Sequence, residues 1–289
     1  MGQVQSGGQR NDTVASTFDA VVPSCESYAK PPTTQFVREA LSRSGGVTKG
    51  ETLIDIGSGT GALALEAAKA GAKVLAIDLS PSMVARLSKR LVRYPGNEVR
   101  VMDGASLDLT DNSFDAGFSV FAATYFPDWY QALSELVRVV KVGGRVVVTH
   151  WSDPTDLAAP TKILAEVFSG LFPHNATSLL PGRSPDHTPE SLRKDLTDAG
   201  CENIRVEEIK VASIWPEPIR LVEELDPIFC VLRAFGVLSD AERALMKAPL
   251  TAAFAAHAVP NGTVELTDAA LIAMGDKQSL PRLRHRPNA

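Results

Sequence analysis

Between residues 52 and 149 short apolar runs alternate with stretches whose apolar residues recur every three or four positions. The runs Thr52 to Ile56, Lys73 to Ile77, Glu98 to Met102, Phe114 to Phe121 and Arg145 to Thr149 read as buried strands. Phe114 to Phe121 is almost wholly apolar, as a central parallel strand is. The stretches between them read as helices. Ala62 to Lys69 is rich in helix formers, with Gly71 placed to end it. Ser80 can cap, and Pro81 can start, a helix to about Arg93 that buries Met83, Val84, Leu87 and Leu91. Asp128-Trp129-Tyr130 opens a third helix with Leu133, Leu136, Val137 and Val140 on one face. Strands alternating with helices predict an α/β fold around a doubly wound parallel sheet.

The flanks are organised differently. Residues 1 to about 14 are polar and small and read as disordered. Phe36, Val37, Ala40 and Leu41 follow helical spacing up to Gly45-Gly46. On the far side, Pro154 to Pro189 is a Pro/Gly-rich insert carrying Phe168, Leu171, Phe172, Leu180, His174 and His187. It reads either as a cap over a site or as a lid packed on its own core. Thr188-Pro189 starts a helix along Leu192, Leu196 and Ala199, and Asn203 to Val211 reads as a sixth strand. Residues 217 to 258 hold two helical segments; the second has a Ser239/Glu242 capping box, and Pro249 is expected to kink it. Gly262 to Gly275 is the last strand, and the arginine-bearing 276–289 a solvated tail. The predicted organisation is a start and lid at 1–46, a core at 47–152, a cap insert at 153–188, a return to the sheet with a helical wall at 189–275, and a tail.

With 289 residues, 44% hydrophobic and 22% charged, the chain has the composition of a globular protein. A net charge of -5 gives no basic footprint for nucleic acid. Cys25, Cys201 and Cys230 are too far apart for a CxxC pair, so buried thiols in a reducing cytoplasm are expected rather than a disulfide framework or metal site. No apolar run reaches membrane-spanning length. Gly2 and Ser6 match the myristoylation pattern, whose single acyl chain would anchor only marginally.

The chemistry gathers at Leu53-Ile54-Asp55-Ile56-Gly57-Ser58-Gly59-Thr60-Gly61-Ala62. A strand ends, three glycines allow a sharp bend with no Cβ above it, and a helix opens with unpaired N–H groups. That is a nucleotide cradle. Gly57-x-Gly59-x-x-Ala62 satisfies the relaxed dinucleotide fingerprint, so an NAD(P)-dependent oxidoreductase is one reading. Asp55, two residues ahead of the bend, favours another. A pyrophosphate is poorly served by a nearby acid, whereas a sulfonium and an ammonium are not.

Asp55-Ile56-Gly57-x-Gly59-x-Gly61 resembles motif I of the class I S-adenosylmethionine-dependent methyltransferases. Asp78, Asp103 and the run Arg138 to Gly144 extend the resemblance across residues 50 to 151. It implies S-adenosyl-L-methionine as cofactor and a last strand that runs antiparallel in a seven-stranded sheet. It also implies a mobile N-terminal lid, on which Tyr28 touches substrate or packs the lid. Gly57, Ser58, Gly59 and Gly61 would shape the methionine cradle, steadied by Asp55. Asp78, with Leu79 and Met83, would hold ribose. Asp103, Gly104 and Ala105 would hold adenine, although Asp103 alone is also readable as a loop acid. Phe121, Tyr125 and Trp151 would border the methionine arm and the acceptor. His150 is the candidate general base, with a structural histidine as the competing reading.

The expected function is methyl transfer to an O, N or C atom of a small hydrophobic or aromatic metabolite. No nucleic acid or stable membrane insertion is expected, and a homo-oligomer is compatible. A non-methylating pericyclase or binding protein on the same fold is the other alternative.

Overall fold

The computed structural model describes residues 15, 16, 19, 33–122, 125–126, 128–152, 158–173, 187–229, 235 and 238–279. Tyr28, Cys25, Cys230, His174, Leu180 and the arginines of the tail lie outside them.

Seven strands form one sheet in the order β3-β2-β1-β4-β5-β7-β6. They are β1 (Thr52–Ile56), β2 (Lys73–Asp78), β3 (Glu98–Val101), β4 (Phe114–Val120), β5 (Val140–Trp151), β6 (Cys201–Trp215) and β7 (Val264–Lys277). β1 pairs in parallel with β2 and β4, and β2 with β3 and β4 with β5 likewise. β7 runs antiparallel to both β5 and β6. The longer helices among the described residues are α1 (33–43), α2 (Ala62–Lys69), α3 (Pro81–Leu91), α4 (Trp129–Val139), α5 (Ala159–Leu171), α6 (Pro189–Asp198), α7 (Pro218–Phe229) and α8 (Asp240–Ala255).

Side chains alternate across the sheet, so each face has its own core. Leu53, Val74, Ala76, Phe118, Val147 and Ile272 pack with α1, α2 and α3. Ile54, Ile56, Leu75, Ile77, Val146 and Val148 pack with α4 and α6. A third core joins α5, α7, Phe235 and α8 to Trp215, Val264 and Leu266. Those three residues lie where the β6–β7 hairpin outruns the sheet. β5 stops at Trp151 opposite Ala270, while β7 begins six residues earlier at Val264. The hairpin therefore projects past the carboxyl ends of the parallel strands and carries a helical cap on the side where doubly wound sheets hold ligands.

Two details differ from the sequence expectation. β6 runs to Trp215, because its whole length pairs with β7 to build that projection. Val142-Gly143-Gly144 does not separate two elements; it is a bulge inside β5, where the register against β4 shifts and Gly143 takes φ +74°. The expected capping box at Ser239 and Glu242 is formed, and Pro249 lies inside α8. No helix among the described residues is long and apolar enough to cross a membrane.

Candidate functional site

The bend after β1 has the conformation its glycines allow. Gly57, Gly59 and Gly61 have φ of +69°, +52° and +93°. Two are also demanded by close approach. A Cβ on Gly57 would lie 2.4 Å from Ala122 Cβ, and one on Gly61 2.1 Å from Leu87 Cδ1. Gly59 faces open space, with no atom within 4 Å of a Cβ there. The bend is pinned by the Ser58 N–H donating to the Ile77 carbonyl (2.9 Å) and by Arg90 Nη1 donating to the Thr60 carbonyl (2.7 Å).

Three acids meet along this edge because β1, β2 and β3 are in-register neighbours. Asp55 is 2% exposed beneath α2 and accepts from the Ala64 N–H. Burial, opposed by that bond and reinforced by Asp78, pushes its carboxyl up to about 7. Asp78 Oδ2 accepts from the Gly59 N–H at 2.8 Å and its Oδ1 from the Ser80 N–H at 2.9 Å. Burial raises Asp78 as well. Ser80 keeps the capping role expected of it, its Oγ accepting from the Met83 N–H at 3.1 Å. Met102 donates to the Asp78 carbonyl, which places Asp103 one residue from the tip of β2. Asp103 Oδ1 accepts from the Ala105 N–H at 2.9 Å and shapes its own turn. Gly104 is buried against Phe126; a Cβ there would lie 2.7 Å from Phe126 Cε1. Leu79 and Ala105 are half-buried and Met83 is buried.

The other side of the edge is aromatic. Phe121 takes φ +55°, a left-handed conformation that bulky residues rarely adopt. Its N–H is held by Thr149, through the carbonyl at 3.2 Å and Oγ1 at 3.1 Å. Its ring stacks on Trp151 at 4.1 Å, with Phe36 edge-on to both at 5.4 and 5.6 Å. Phe121 adjoins Ala122, which touches Gly57, so this cluster begins where the glycine bend ends. Tyr125 donates its N–H to the Ala122 carbonyl and is 39% exposed.

His150 does not leave the strand toward that side. It pairs with Leu271 inside β5, so its ring falls on the face opposite Trp151. There it is 1% exposed, 3.6 Å from the His187 ring and edge-on to Trp129 at 5.2 Å. Burial, and to a lesser degree His187, holds its pKa well below the usual value, so the ring is neutral at pH 7. The expected cap residues Phe168 and Phe172 pack on the cap's own core rather than over the bend.

Several contributors escaped the sequence reading. Asp19 accepts from the Ser80 hydroxyl and, at 3.1 Å, from the Ser82 N–H, closing on the α3 N-terminus beside Asp78. Nothing in its local sequence foretells that contact. Thr149 and Phe126 act through backbone and ring packing that only the loop geometry reveals. Asp268 was legible in principle. It is the one acid in the buried alternation Val264, Leu266, Asp268, Ala270, Ile272 of β7.

Comparisons with known proteins agree with this geometry. A family described as "Methyltransferase domain" matches residues 54–148, from β1 to β5. A demethylmenaquinone methyltransferase of Tropheryma whipplei (strain Twist) is 38% identical over 123 residues, 43% of this chain and 51% of the relative. The chain thus spans about half the length of that curated relative. Phosphoethanolamine N-methyltransferase 2 of Haemonchus contortus, solved with phosphomonomethylethanolamine and S-adenosylhomocysteine, superposes with a TM-score of 0.60. It is 21% identical, over 96% of this chain and 62% of that one. The 4+2 cyclase SpnF superposes with a TM-score of 0.54 at 19% identity, over 92% and 96% of the two chains. Residues 54–148 are thus similar to a methyltransferase domain, and the whole chain shares the fold of the solved structures named above.

Proposed function

We propose that the protein moves a methyl group from S-adenosyl-L-methionine to a small hydrophobic or aromatic acceptor. The observation that carries this is the meeting of Asp55, Asp78 and Asp103 with an open glycine bend at one sheet edge. The residues fit the cofactor on their own terms. Asp55 Oδ2 and Ser58 Oγ are buried with no hydrogen-bond partner among the described residues. Both can receive donors from a cationic amino-acid tail. Asp78 keeps lone-pair capacity for ribose hydroxyls beside its contacts to the Gly59, Leu79 and Ser80 N–H groups. Gly104 and Ala105 lie beside Asp103, where an adenine ring would rest.

When bound, the cofactor supplies an electrophilic methyl on sulfur. The protein's own contribution is position. The bend fixes one reactant, the Phe121–Trp151 side meets the other, and water is excluded between them. Holding two groups in line in this way can contribute on the order of 7–11 kcal/mol. His150, the candidate base, is neutral but buried on the face of β5 opposite Trp151, so no proton-transfer step is assigned to it. Tyr28, Tyr125 and Trp151 are assigned to the acceptor side. The segments 1–46 and 153–188 are assigned as lid and cap around the 47–152 core, with 189–275 as the substrate wall.

Two considerations support an apolar or aromatic acceptor. The edge beyond β4 and β5 is built from rings, and the curated relative named above is called a demethylmenaquinone methyltransferase. The test is incubation with isotopically labelled cofactor and a panel of phenols, quinols, amines and carboxylic acids. The expected result is a product heavier by one methylene and carrying the label. Turnover of an acceptor with no mass gain would place the protein with the non-methylating members of the fold.

A further inference from the structure

Asp268 stands at a seam. On one face of β7, Val264 and Leu266 belong to the core of the cap, while Ala270, Ile272 and Met274 belong to the core of the sheet. Asp268 lies between them on the same face, 2% exposed, opposite Val211 of β6. Trp151 pairs with Ala270, so Asp268 is its diagonal neighbour across the strand pair. The chain leaves β5 at Ser152, whose N–H donates to the Ala269 carbonyl, and returns at Ala158 to begin α5.

One carboxylate oxygen is accounted for. Oδ1 accepts from the Ala159 N–H at 2.6 Å and serves as the cap that Ala158 cannot provide. The other is not. Oδ2 is fully buried, and no group among the described residues donates to it. Burying a carboxylate is costly unless its lone pairs are used. Capping α5 needs only one oxygen, which a neutral asparagine would also supply. The second oxygen is surplus to that role, and it sits one residue step past the aromatic trio that borders the cofactor edge.

We propose that Asp268 Oδ2 is the polar recognition point of the acceptor pocket, accepting a hydrogen bond from a hydroxyl or amino group on an otherwise apolar ring that lies against Trp151. This rests on the methyl-transfer reading for the identity of the pocket, although ligand binding can be measured without turnover. An arriving donor would satisfy the stranded oxygen, and an ether or plain hydrocarbon of the same shape would leave it stranded. The carboxylate therefore selects acceptors that still carry a free donor over the same ring already alkylated, which also lets a methylated oxygen depart.

The probes are 2-naphthol and 2-methoxynaphthalene, one ring with and without a donor. Their binding to the full chain is followed by tryptophan fluorescence, with and without S-adenosylhomocysteine. The wild type is expected to favour 2-naphthol by about tenfold or more, as satisfying a buried unpaired acceptor allows. In Asp268→Asn the amide oxygen still caps α5 while an amide N–H₂ replaces Oδ2. That variant is expected to keep its thermal midpoint and to lose or reverse the preference. Asp268→Ala, which also loses the cap, should unfold at lower temperature. No binding of either probe by the wild type, equal binding of both, or a preference that survives in Asp268→Asn would overturn the assignment. Titration of S-adenosylhomocysteine on the same samples reports separately on the cofactor reading.

Discussion

The Gly59 N–H donates to Asp78 Oδ2 at 2.8 Å, joining the middle of the glycine bend to the tip of the neighbouring strand. The carboxylate that would grip a ribose thus also sets the height of the loop beneath it. Asp78→Ala removes both functions. Its affinity for S-adenosylhomocysteine is expected to fall by about 100-fold, an effect of two charge-assisted contacts. Asp78→Asn, which keeps an oxygen for Gly59, should lose less. Calorimetric titration of the two variants checks the order.

Gly59 and Gly61 separate binding from stability. Gly61→Ala would set a Cβ against the buried Leu87 at a backbone angle that alanine tolerates poorly. It is expected to destabilise the fold by about 2–5 kcal/mol. Gly59→Ala meets open space, so only its φ of +52° is strained, at a cost of about 1–2 kcal/mol. Yet its methyl enters the cradle, so cofactor affinity should fall more steeply in Gly59→Ala than its stability does. Denaturant unfolding and ligand titration on both variants read the two effects.

Asp55 makes the free protein sensitive to alkali. Its folded pKa, about 7, is above the value of 3.8 for the free side chain. The folded state therefore binds the proton more tightly, and stability is lost as pH rises from near 4 through 7. Asp55→Asn has no such charge to bury. Its thermal midpoint should exceed that of the wild type at pH 8, and the gap should shrink at pH 5. A cationic ligand tail beside the ionised form should offset the loss, so S-adenosylhomocysteine is expected to raise the wild-type midpoint more at pH 8 than at pH 6.

The strand-and-helix alternation and the glycine bend were readable from residues 52 to 149 because each rests on local chemistry: apolar period, caps and freedom from Cβ. The three aspartates were readable because each stands in or just beyond the last residues of a strand. What was not readable depends on how distant segments meet. The face on which His150 lies is set by its pairing with Leu271, and its neighbour His187 is 37 positions away in sequence. The length of β6 is set by a partner strand that comes after two cap helices. The clasp of Asp19 on Ser80 joins positions 61 apart.

His150 gives an acid-side counterpart. A histidine whose folded pKa is below its unfolded value stabilises only while neutral, so stability is lost as pH falls below about 6.5. His150→Phe should keep the edge packing on Trp129 and remove that loss, so its midpoint at pH 5.5 should approach its midpoint at pH 7.5. As a packing residue, it should leave turnover of phenolic acceptors in place in the same variant. Lost turnover with cofactor affinity kept would make it the base.

The most direct measurement is a pair of calorimetric titrations of the wild-type protein, one with S-adenosyl-L-methionine and one with NAD. A cradle of carboxylates around an open glycine bend should take up the sulfonium cofactor with one-to-one stoichiometry and ignore the pyrophosphate. Uptake of NAD with no heat from S-adenosyl-L-methionine would contradict the account.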